Sequence, residues 1–221
     1  MKEKVFESLN NRNGMMKKLF VVAIVALVSM SALAQEKIQL PVPQWDQNVS
    51  EFSLVDALKQ RQSVREYATT ELTDQELSNV LWAACGINRP DSKRITAPSA
   101  MNAQDVIVFV CRADGAWRYS PEGNTLTRVS TLDLRKAVAG RQEFSAKAPV
   151  SLVLVSDIGR VRGHREFGAM DAGYVSENIY LICTAMGLKT VARASMEKDA
   201  LVRELGLTDD QVPMLNHPVG K

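Results

Sequence analysis

Two uninterrupted runs of β-branched, aliphatic and aromatic residues, at positions 106–111 and 150–155, constrain the fold of this chain most strongly. Runs of this length and composition predict buried strands. Residues 116–119 and 125–129 also have strand character, and the turn sequence between them, Pro121-Glu122-Gly123-Asn124, predicts a hairpin. We therefore expect the chain to fold around a β-sheet.

Amphipathic helices are interspersed with these strands. Ser53 precedes a short helix, and Thr73-x-x-Glu76 is a capping box that opens a second one. Apolar residues at helical spacing predict a long helix from Gly168 to Met186. Further patterns predict helices at 132–140 and 197–205 and extended segments at 189–194 and 214–219. Because helices and strands are mixed without strict βαβ repetition, the pattern favours an α+β fold over a doubly wound sheet.

Residues 1–34 have the order of a secretory signal peptide: two lysines, an apolar run from Leu19 to Val28, and small residues up to Ala34. The pattern predicts cleavage after Ala34 and a periplasmic or secreted product. The alternative is an uncleaved membrane anchor, but this run is much shorter than the roughly 20 residues that span a bilayer. We therefore expect no stable membrane insertion after cleavage.

The remaining chain divides into an extended arm, residues 35–50, and one domain, residues 51–221. The arm contains Pro41 and Pro43 and has no helical period. We expect it to pack against the domain or to wrap around a second subunit.

Charge and cysteine usage exclude several classes of function. A formal net charge of +2 on 221 residues, without a clustered basic stripe, argues against a nucleic-acid partner. The three cysteines form no CxxC pair and lie far in sequence from both histidines, so neither a metal site nor a disulfide framework is predicted. The motifs of P-loop kinases, serine hydrolases and zinc proteases do not occur in the sequence.

The first candidate site is the segment Arg61-Gln62-Ser63-Val64-Arg65, which follows the short helix. In an extended conformation, Arg61, Ser63 and Arg65 project to the same side. Two guanidinium groups and a hydroxyl that converge in this way suit a dianionic phosphate, because charge-assisted bidentate hydrogen bonds are strong and directional. A solvated charged edge is the alternative interpretation.

The second candidate site lies in residues 87–105, which have no sustained period and predict a long loop. Loops of this length are often functional. Its part Pro98-Ser99-Ala100-Met101-Asn102-Ala103-Gln104 offers a hydroxyl and amides that could bind the polar edge of a planar heterocycle. The alternative is an ordinary turn, since Asn, Ser and Pro are common turn residues.

The order of these parts resembles that of the FMN-dependent nitroreductase family. The family has an early Arg-x-Ser-x-Arg segment, as in residues 61–65, followed by a Pro-Ser-x-x-Asn-x-Gln loop, as in residues 98–104. Its long helix carries an Asp-x-Gly pattern that is similar to residues 171–173. The resemblance covers about residues 51–221.

Within this family, residues 81–100, 117–126 and 217–221 are most similar to the SagB-type branch, whose members are peptide dehydrogenases that oxidise azolines to azoles. The chain departs from the family pattern at two positions. Asp105 stands where the family often has proline, and the sequence stops at Lys221, where larger members continue into a segment with basic phosphate ligands.

The resemblance implies a mixed, mainly antiparallel sheet flanked by helices, in an intertwined homodimer that binds FMN at the subunit interface. Residues 61–65 would hold the phosphate and ribityl end of FMN, the loop would reach the flavin from the partner subunit, and residues 192–194 would lie near its reactive edge. Lys221 would replace the missing basic ligands. The implied cofactor-binding residues are Arg61, Gln62, Ser63, Arg65, Pro98, Ser99, Ala100, Asn102, Ala192, Arg193, Ala194 and Lys221.

The sequence offers no nucleophile or acid–base pair, so a cofactor must carry the chemistry. Together with the resemblance, this predicts an exported FMN-dependent oxidoreductase that transfers hydride or electrons to a small electron-poor acceptor of the nitro or quinone type, with NAD(P)H as a candidate donor. One alternative is a dehydrogenase or oxidase of a heterocycle-containing peptide. A flavin-binding protein without turnover is the other.

Overall fold

A computed structural model describes residues 35–221, so the predicted signal peptide lies outside the described residues. The described residues contain nine strands: β1 (Lys37–Gln39), β2 (Ile87–Arg89), β3 (Arg94–Ile95), β4 (Val106–Arg112), β5 (Gly115–Ser120), β6 (Thr125–Ser130), β7 (Val150–Asp157), β8 (Lys189–Thr190) and β9 (Gln211–Gly220). Seven of them form the main sheet in the order β1-β6-β5-β4-β7-β9-β8, and β2 pairs with β3 alone. All of these pairings are antiparallel.

Six α-helices and four short 3-10 helices complete the described part of the chain. The α-helices are α1 (Gln47–Glu51), α2 (Leu54–Gln60), α3 (Asp74–Cys85), α4 (Arg135–Ala139), α5 (Arg165–Ala185) and α6 (Lys198–Glu204). The 3-10 helices are Pro90–Ser92, Ala100–Asn102, Glu143–Lys147 and Ile158–Val161. Ser53 caps α2, and Thr73 and Glu76 form the predicted capping box of α3. Between Gln35 and Lys221, no helix has both the length and the apolar character needed to cross a membrane.

Helices cover both faces of the main sheet. On one face, α3 and α5 bury apolar side chains against Val108, Val110, Leu152 and Leu154. On the other face, α4 and α6 pack against Phe109, Cys111, Val153 and Val155. Because successive residues of β4 and β7 point to opposite faces, burial of both faces requires the uninterrupted apolar runs seen in the sequence. The predicted α+β fold, with a mainly antiparallel sheet flanked by helices, is confirmed.

The arm is more regular than expected from its sequence. Residues 37–39 form the edge strand β1, and α1 begins at Gln47 because the Asp46 side chain accepts a hydrogen bond from Val49 N at 2.9 Å. Asn79 of α3 fixes the segment between them, since its side chain accepts from Gln44 N at 3.0 Å and donates to Gln44 O at 2.6 Å. These interactions involve a helix that is distant in the sequence, so the local pattern of apolar residues could not predict them.

The C-terminal strands also differ in length from the expectation. β8 covers only residues 189–190, after which Arg193 makes an isolated bridge to Asn216. The expected extended segment at 214–219 is part of the ten-residue strand β9, which lies between β7 and β8. Pro213 and Pro218 weaken the local strand signal, and pairing on both sides compensates for it.

Candidate functional site

The segment 61–65 leaves α2 and lies beside β8. Arg61 ends the helix with a ψ of 123°, and the following residues have no regular secondary structure. Val64 N donates to Thr190 O at 2.9 Å, which ties the segment to the first residues after α5. Gln62, Ser63 and Arg65 are exposed, so the segment is open to a ligand.

Tyr180 of α5 connects two of the segments that the sequence singles out. Its hydroxyl lies 2.8 Å from Ser63 Oγ and accepts a hydrogen bond from Ala192 N, also at 2.8 Å. The Arg61 guanidinium carbon lies 4.9 Å from the centroid of the Tyr180 ring, a cation–π distance. Arg61, Ser63 and Ala192 therefore meet around one buried tyrosine.

A second polar group lies behind Tyr180. The fully buried His217 of β9 hydrogen-bonds to Ser176 Oγ at 2.8 Å and to Thr190 Oγ1 at 3.0 Å, and its ring packs edge-on against Tyr180. Burial lowers the pKa of His217 to about 3, so the ring is neutral at physiological pH. Both ring nitrogens have hydroxyl partners, and the histidine joins α5, β8 and β9 beneath the site.

The cations of this region are available to an anion. Among residues 35–221, neither Arg61 nor Arg65 has a carboxylate within 4.0 Å. Arg61 also borders a cavity of about 540 Å³, together with Gln62, Val64, Lys59 and Lys189. Arg61 lies next to Ser63 around Tyr180, and the exposed Arg65 follows two residues later, so unpaired cations that suit a phosphate group are available in this segment.

The loop of residues 98–104 is held by α5 at another point. Ala100 N donates to both carboxylate oxygens of Asp171, at 3.0 and 2.9 Å, and Gln104 N donates to Ser99 Oγ at 2.9 Å. Met101, Asn102 and Gln104 have positive φ angles of 54°, 53° and 47°. Such a run of left-handed residues other than glycine is uncommon and often marks a functional segment. Met101 and Asn102 are exposed at its tip.

A pair of buried carboxyl groups supports this loop. Asp105 has 0% of its surface exposed and Asp171 has 2%. Ser156 Oγ donates to Asp105 Oδ2 at 2.5 Å, while the buried Asp105 Oδ1 has no hydrogen-bond partner among the described residues. Burial, followed by the hydrogen bond with Asp105, raises the pKa of Asp171 to about 6. Below that pH, Asp171 is protonated and can donate a hydrogen bond to the neighbouring carboxyl group.

The structure does not bring all the predicted site residues together. Asp171 and Tyr180 are nine positions apart in α5, which places them about 13 Å apart along the axis and at opposite edges of the buried face of the helix. The loop therefore lies apart from residues 61–65 within one subunit. Lys221 Nζ pairs with Glu76 Oε1 at 2.9 Å, and Lys221 O accepts from Ala68 N.

The resemblance places the backbone of residues 192–194 near the flavin, and the side chain of Arg193 is buried in the protein. Its side chain points into the protein, where the guanidinium donates to Gln142 Oε1, Ser145 Oγ and Asn216 Oδ1 and to two backbone carbonyls at the end of α4. The Arg193 backbone N–H is bonded to Asn216 O. Of residues 192–194, Ala194 is the exposed one and the one best placed to contact a ligand.

Sequence reasoning missed Tyr180 and Lys189. Tyr180 lies within an apolar helical pattern, and its polar partners are 117 and 12 residues away in the chain. Lys189 follows the Gly187-Leu188 end of α5, where a basic residue is unremarkable. A tyrosine on the buried face of a helix was the only available signal, since its hydroxyl requires a partner.

Comparisons with known proteins identify the family of the chain. The family model described as "Nitroreductase family" matches residues 58–221. A protein from Methanocaldococcus jannaschii that is named as a nitroreductase is 33% identical over 202 residues, which are 84% of this chain and 96% of that protein. A crystal structure from Ralstonia eutropha, also named as a nitroreductase, has a TM-score of 0.78 and 33% identity, and covers 86% of this chain and 90% of its own.

A more distant structure shares the fold alone. The microcin synthetase complex of Escherichia coli, solved with truncated pro-MccB17 bound, has a TM-score of 0.64 at 19% identity. The match covers 82% of this chain and 74% of that one.

Proposed function

Because the chain belongs to the nitroreductase family and is a flavin-dependent oxidoreductase, we propose that it is an exported enzyme that uses FMN to pass hydride or electrons to a small electron-poor acceptor, such as a nitro compound or a quinone. NAD(P)H is the proposed donor. The observation that supports the FMN proposal is that Arg61 and Ser63 meet at Tyr180 in a segment whose two arginines, Arg61 and Arg65, have no carboxylate partner in the described part of the chain. FMN, when bound, supplies the redox chemistry that the side chains lack.

The residues around Tyr180 fit the phosphate end of FMN. Arg61 and Arg65 would neutralise the phosphate, and Ser63 would donate a hydrogen bond to one of its oxygens. Ala194, the exposed residue of this segment, is assigned to the flavin ring. Lys189, which borders the cavity beside Arg61, is a better candidate for an additional phosphate ligand than Lys221, because Lys221 is paired with Glu76.

A homodimer is part of the proposal. Leu54, Val55 and Leu58 of α2 are between 57% and 64% exposed, and Met170 and Tyr174 expose large apolar surface on the neighbouring α5. Exposed apolar faces of this kind mark interaction sites. The separation between the loop and residues 61–65 supports the same conclusion, since a loop that cannot reach the site of its own subunit can serve that of a second one.

The visible absorption spectrum of the purified protein tests the cofactor. We expect the bands of bound FMN and their loss when NAD(P)H is added without oxygen.

An Arg61→Ala, Arg65→Ala double variant should lose at least 100-fold in FMN affinity, because two charge-assisted contacts to phosphate are removed. The matched control is Arg94→Ala, Arg141→Ala, which removes two other exposed arginines and should retain FMN. Full occupancy of the Arg61/Arg65 variant would reject the phosphate assignment.

Acceptor assays separate this function from its strongest competitor. The similarity of residues 81–100 to SagB-type enzymes favours a peptide dehydrogenase as the second candidate. Consumption of NAD(P)H with a nitroaromatic or quinone supports the first function. Oxidation of an azoline-containing peptide with oxygen as acceptor, and no reaction with NAD(P)H, would replace it with the second.

Export is tested by cell fractionation. We expect mature protein to begin at Gln35 and to be recovered outside the cytoplasm, because residues 17–34 have the pattern of a signal peptide. Protein that keeps its N terminus and stays in the cytoplasm would contradict the export proposal.

A further inference from the structure

We infer that Tyr180 is a positioning residue. It orients the hydroxyl hydrogen of Ser63 toward the phosphate of the cofactor. This inference rests on the proposed function. Tyr180 is only 8% exposed, and its hydroxyl lies 2.8 Å from Ser63 Oγ on the exposed segment that carries Arg61 and Arg65. It therefore acts through Ser63 and does not itself reach the ligand.

The direction of the hydrogen bonds follows from counting donors and acceptors. Ala192 N–H can only donate, so the Tyr180 oxygen accepts that bond. The one hydrogen of the tyrosine hydroxyl is then free to be donated to Ser63 Oγ, 2.8 Å away. When Tyr180 donates, Ser63 keeps its own hydrogen for an outside acceptor. A phosphate dianion can only accept hydrogen bonds. It therefore favours the arrangement in which Tyr180 donates to Ser63 over the one in which Ser63 donates to Tyr180.

The ring of Tyr180 fixes the second component of the phosphate site. The Arg61 guanidinium stacks over it at 4.9 Å, and the ring is itself held edge-on by the buried His217 at 5.2 Å. Replacement of Tyr180 by phenylalanine keeps both ring contacts and removes only the hydroxyl. The substitution therefore separates the hydrogen-bond relay from the placement of Arg61.

Paired titrations with FMN and riboflavin test the relay, because riboflavin has the same ring and ribityl chain without the phosphate. We expect Tyr180→Phe to reduce the preference for FMN over riboflavin about tenfold, and Ser63→Ala to reduce it to a similar extent. In the Ser63→Ala background, Tyr180→Phe should change the preference less than twofold, since the relay is already broken. A general structural defect would weaken both ligands equally and leave the preference unchanged.

Tyr119→Phe is the matched control. Tyr119 is also a buried tyrosine, and its hydroxyl donates to Asn124 Oδ1 at 3.0 Å in the β5–β6 hairpin, outside the network of Tyr180. This variant should leave the FMN preference unaltered. Equal preferences in Tyr180→Phe and the wild-type protein, or full additivity with Ser63→Ala, would overturn the inference while FMN binding itself stands. Wild-type protein that binds neither flavin would instead overturn the proposed function on which the inference rests.

Discussion

At the scale of single residues, Arg193 shows how a buried charge can be stabilised without an opposite charge. Only 6% of the residue is exposed, and no carboxylate lies within 4.0 Å of it in the described part of the chain. Its guanidinium instead donates to neutral oxygens, including Val138 O and Ala139 O at the C-terminal end of α4, where the helix dipole is negative. Burial lowers the pKa of Arg193. The residue therefore links α4 to β9 through Asn216.

Replacement of Arg193 tests this structural role. Arg193→Met should lower the free energy of unfolding by about 3 kcal/mol, because several buried oxygens lose their donors together. Urea denaturation measures the change. Arg141→Met, at an exposed arginine near the same helix, should stay within about 0.5 kcal/mol of the wild type. Loss of FMN without loss of stability in Arg193→Met would show that the side chain contacts the cofactor after all.

The carboxyl pair beneath the loop gives a prediction about pH. The pKa of Asp171 in the folded protein is about 6, above its ordinary value of 3.8, so the folded state binds more protons than the unfolded state between these values. Protonation of Asp171 therefore stabilises the folded state at low pH, and this stabilisation is lost as the pH rises through 6. In Asp105→Asn, the new side-chain amide can donate a hydrogen bond to the ionised Asp171 carboxylate, so this bond no longer requires a protonated carboxyl group. We expect this variant to be more stable than the wild type at pH 8 by about 1–2 kcal/mol and to lose most of that advantage at pH 4.

Thermal denaturation from pH 4 to 8 measures this difference. Asp209→Asn serves as the control, because Asp209 is exposed and its replacement removes one carboxylate without affecting the buried pair. A constant stability difference between Asp105→Asn and the wild type over the whole pH range would contradict the effect of Asp105 on the protonation of Asp171.

At the scale of elements, the position of α5 depends on its close approach to β7. A Cβ placed on Gly168 would lie 2.2 Å from Ser156 Oγ and 2.9 Å from Ser156 Cβ. Ser156 cannot move freely, because it is buried and donates to Asp105. Glycine at this position therefore allows α5, which carries Asp171 and Tyr180, to lie directly on the sheet.

Gly168→Ala should lower the free energy of unfolding by about 2 kcal/mol, because either the helix or Ser156 must shift to accept the methyl group. The loop held by Asp171 should become more susceptible to proteolysis at the same time. Gly173→Ala is the matched control in the same helix, since a Cβ there meets no atom within 4 Å of the same subunit. Chemical denaturation compares the two, and equal stabilities would contradict the close packing of α5 on β7.

The elements themselves could largely be predicted from the sequence, whereas the site could be predicted only in part. Apolar periodicity and the Thr73–Glu76 capping box are local signals, and they correctly indicated α3, α5, β4 and β7. The bonds from Asp171 to Ala100 and from Tyr180 to Ser63 join residues 71 and 117 positions apart. Only the folded chain determines such contacts. For this reason, neither the burial of the Arg193 side chain nor the pairing of Lys221 with Glu76 could be predicted.

At the scale of the whole molecule, the apolar face of α2 predicts the oligomeric state. Leu58→Glu should convert the proposed homodimer into a monomer, because a charge in the centre of an apolar interface remains unpaired. Light scattering after size-exclusion chromatography measures the mass. Leu132→Glu, at a leucine 52% exposed between β6 and α4, should leave the mass unchanged. A wild-type protein with the mass of one chain would disprove the dimer.

The position of β9 has a consequence for biosynthesis. β7 and β8 both pair with β9, and β9 is made more than fifty residues after β7. Until residues 211–220 are available for pairing, the eight residues of β7 present an open hydrogen-bonding edge on a highly apolar strand. Nascent chains at this stage are expected to be the most prone to aggregation and the most dependent on chaperones.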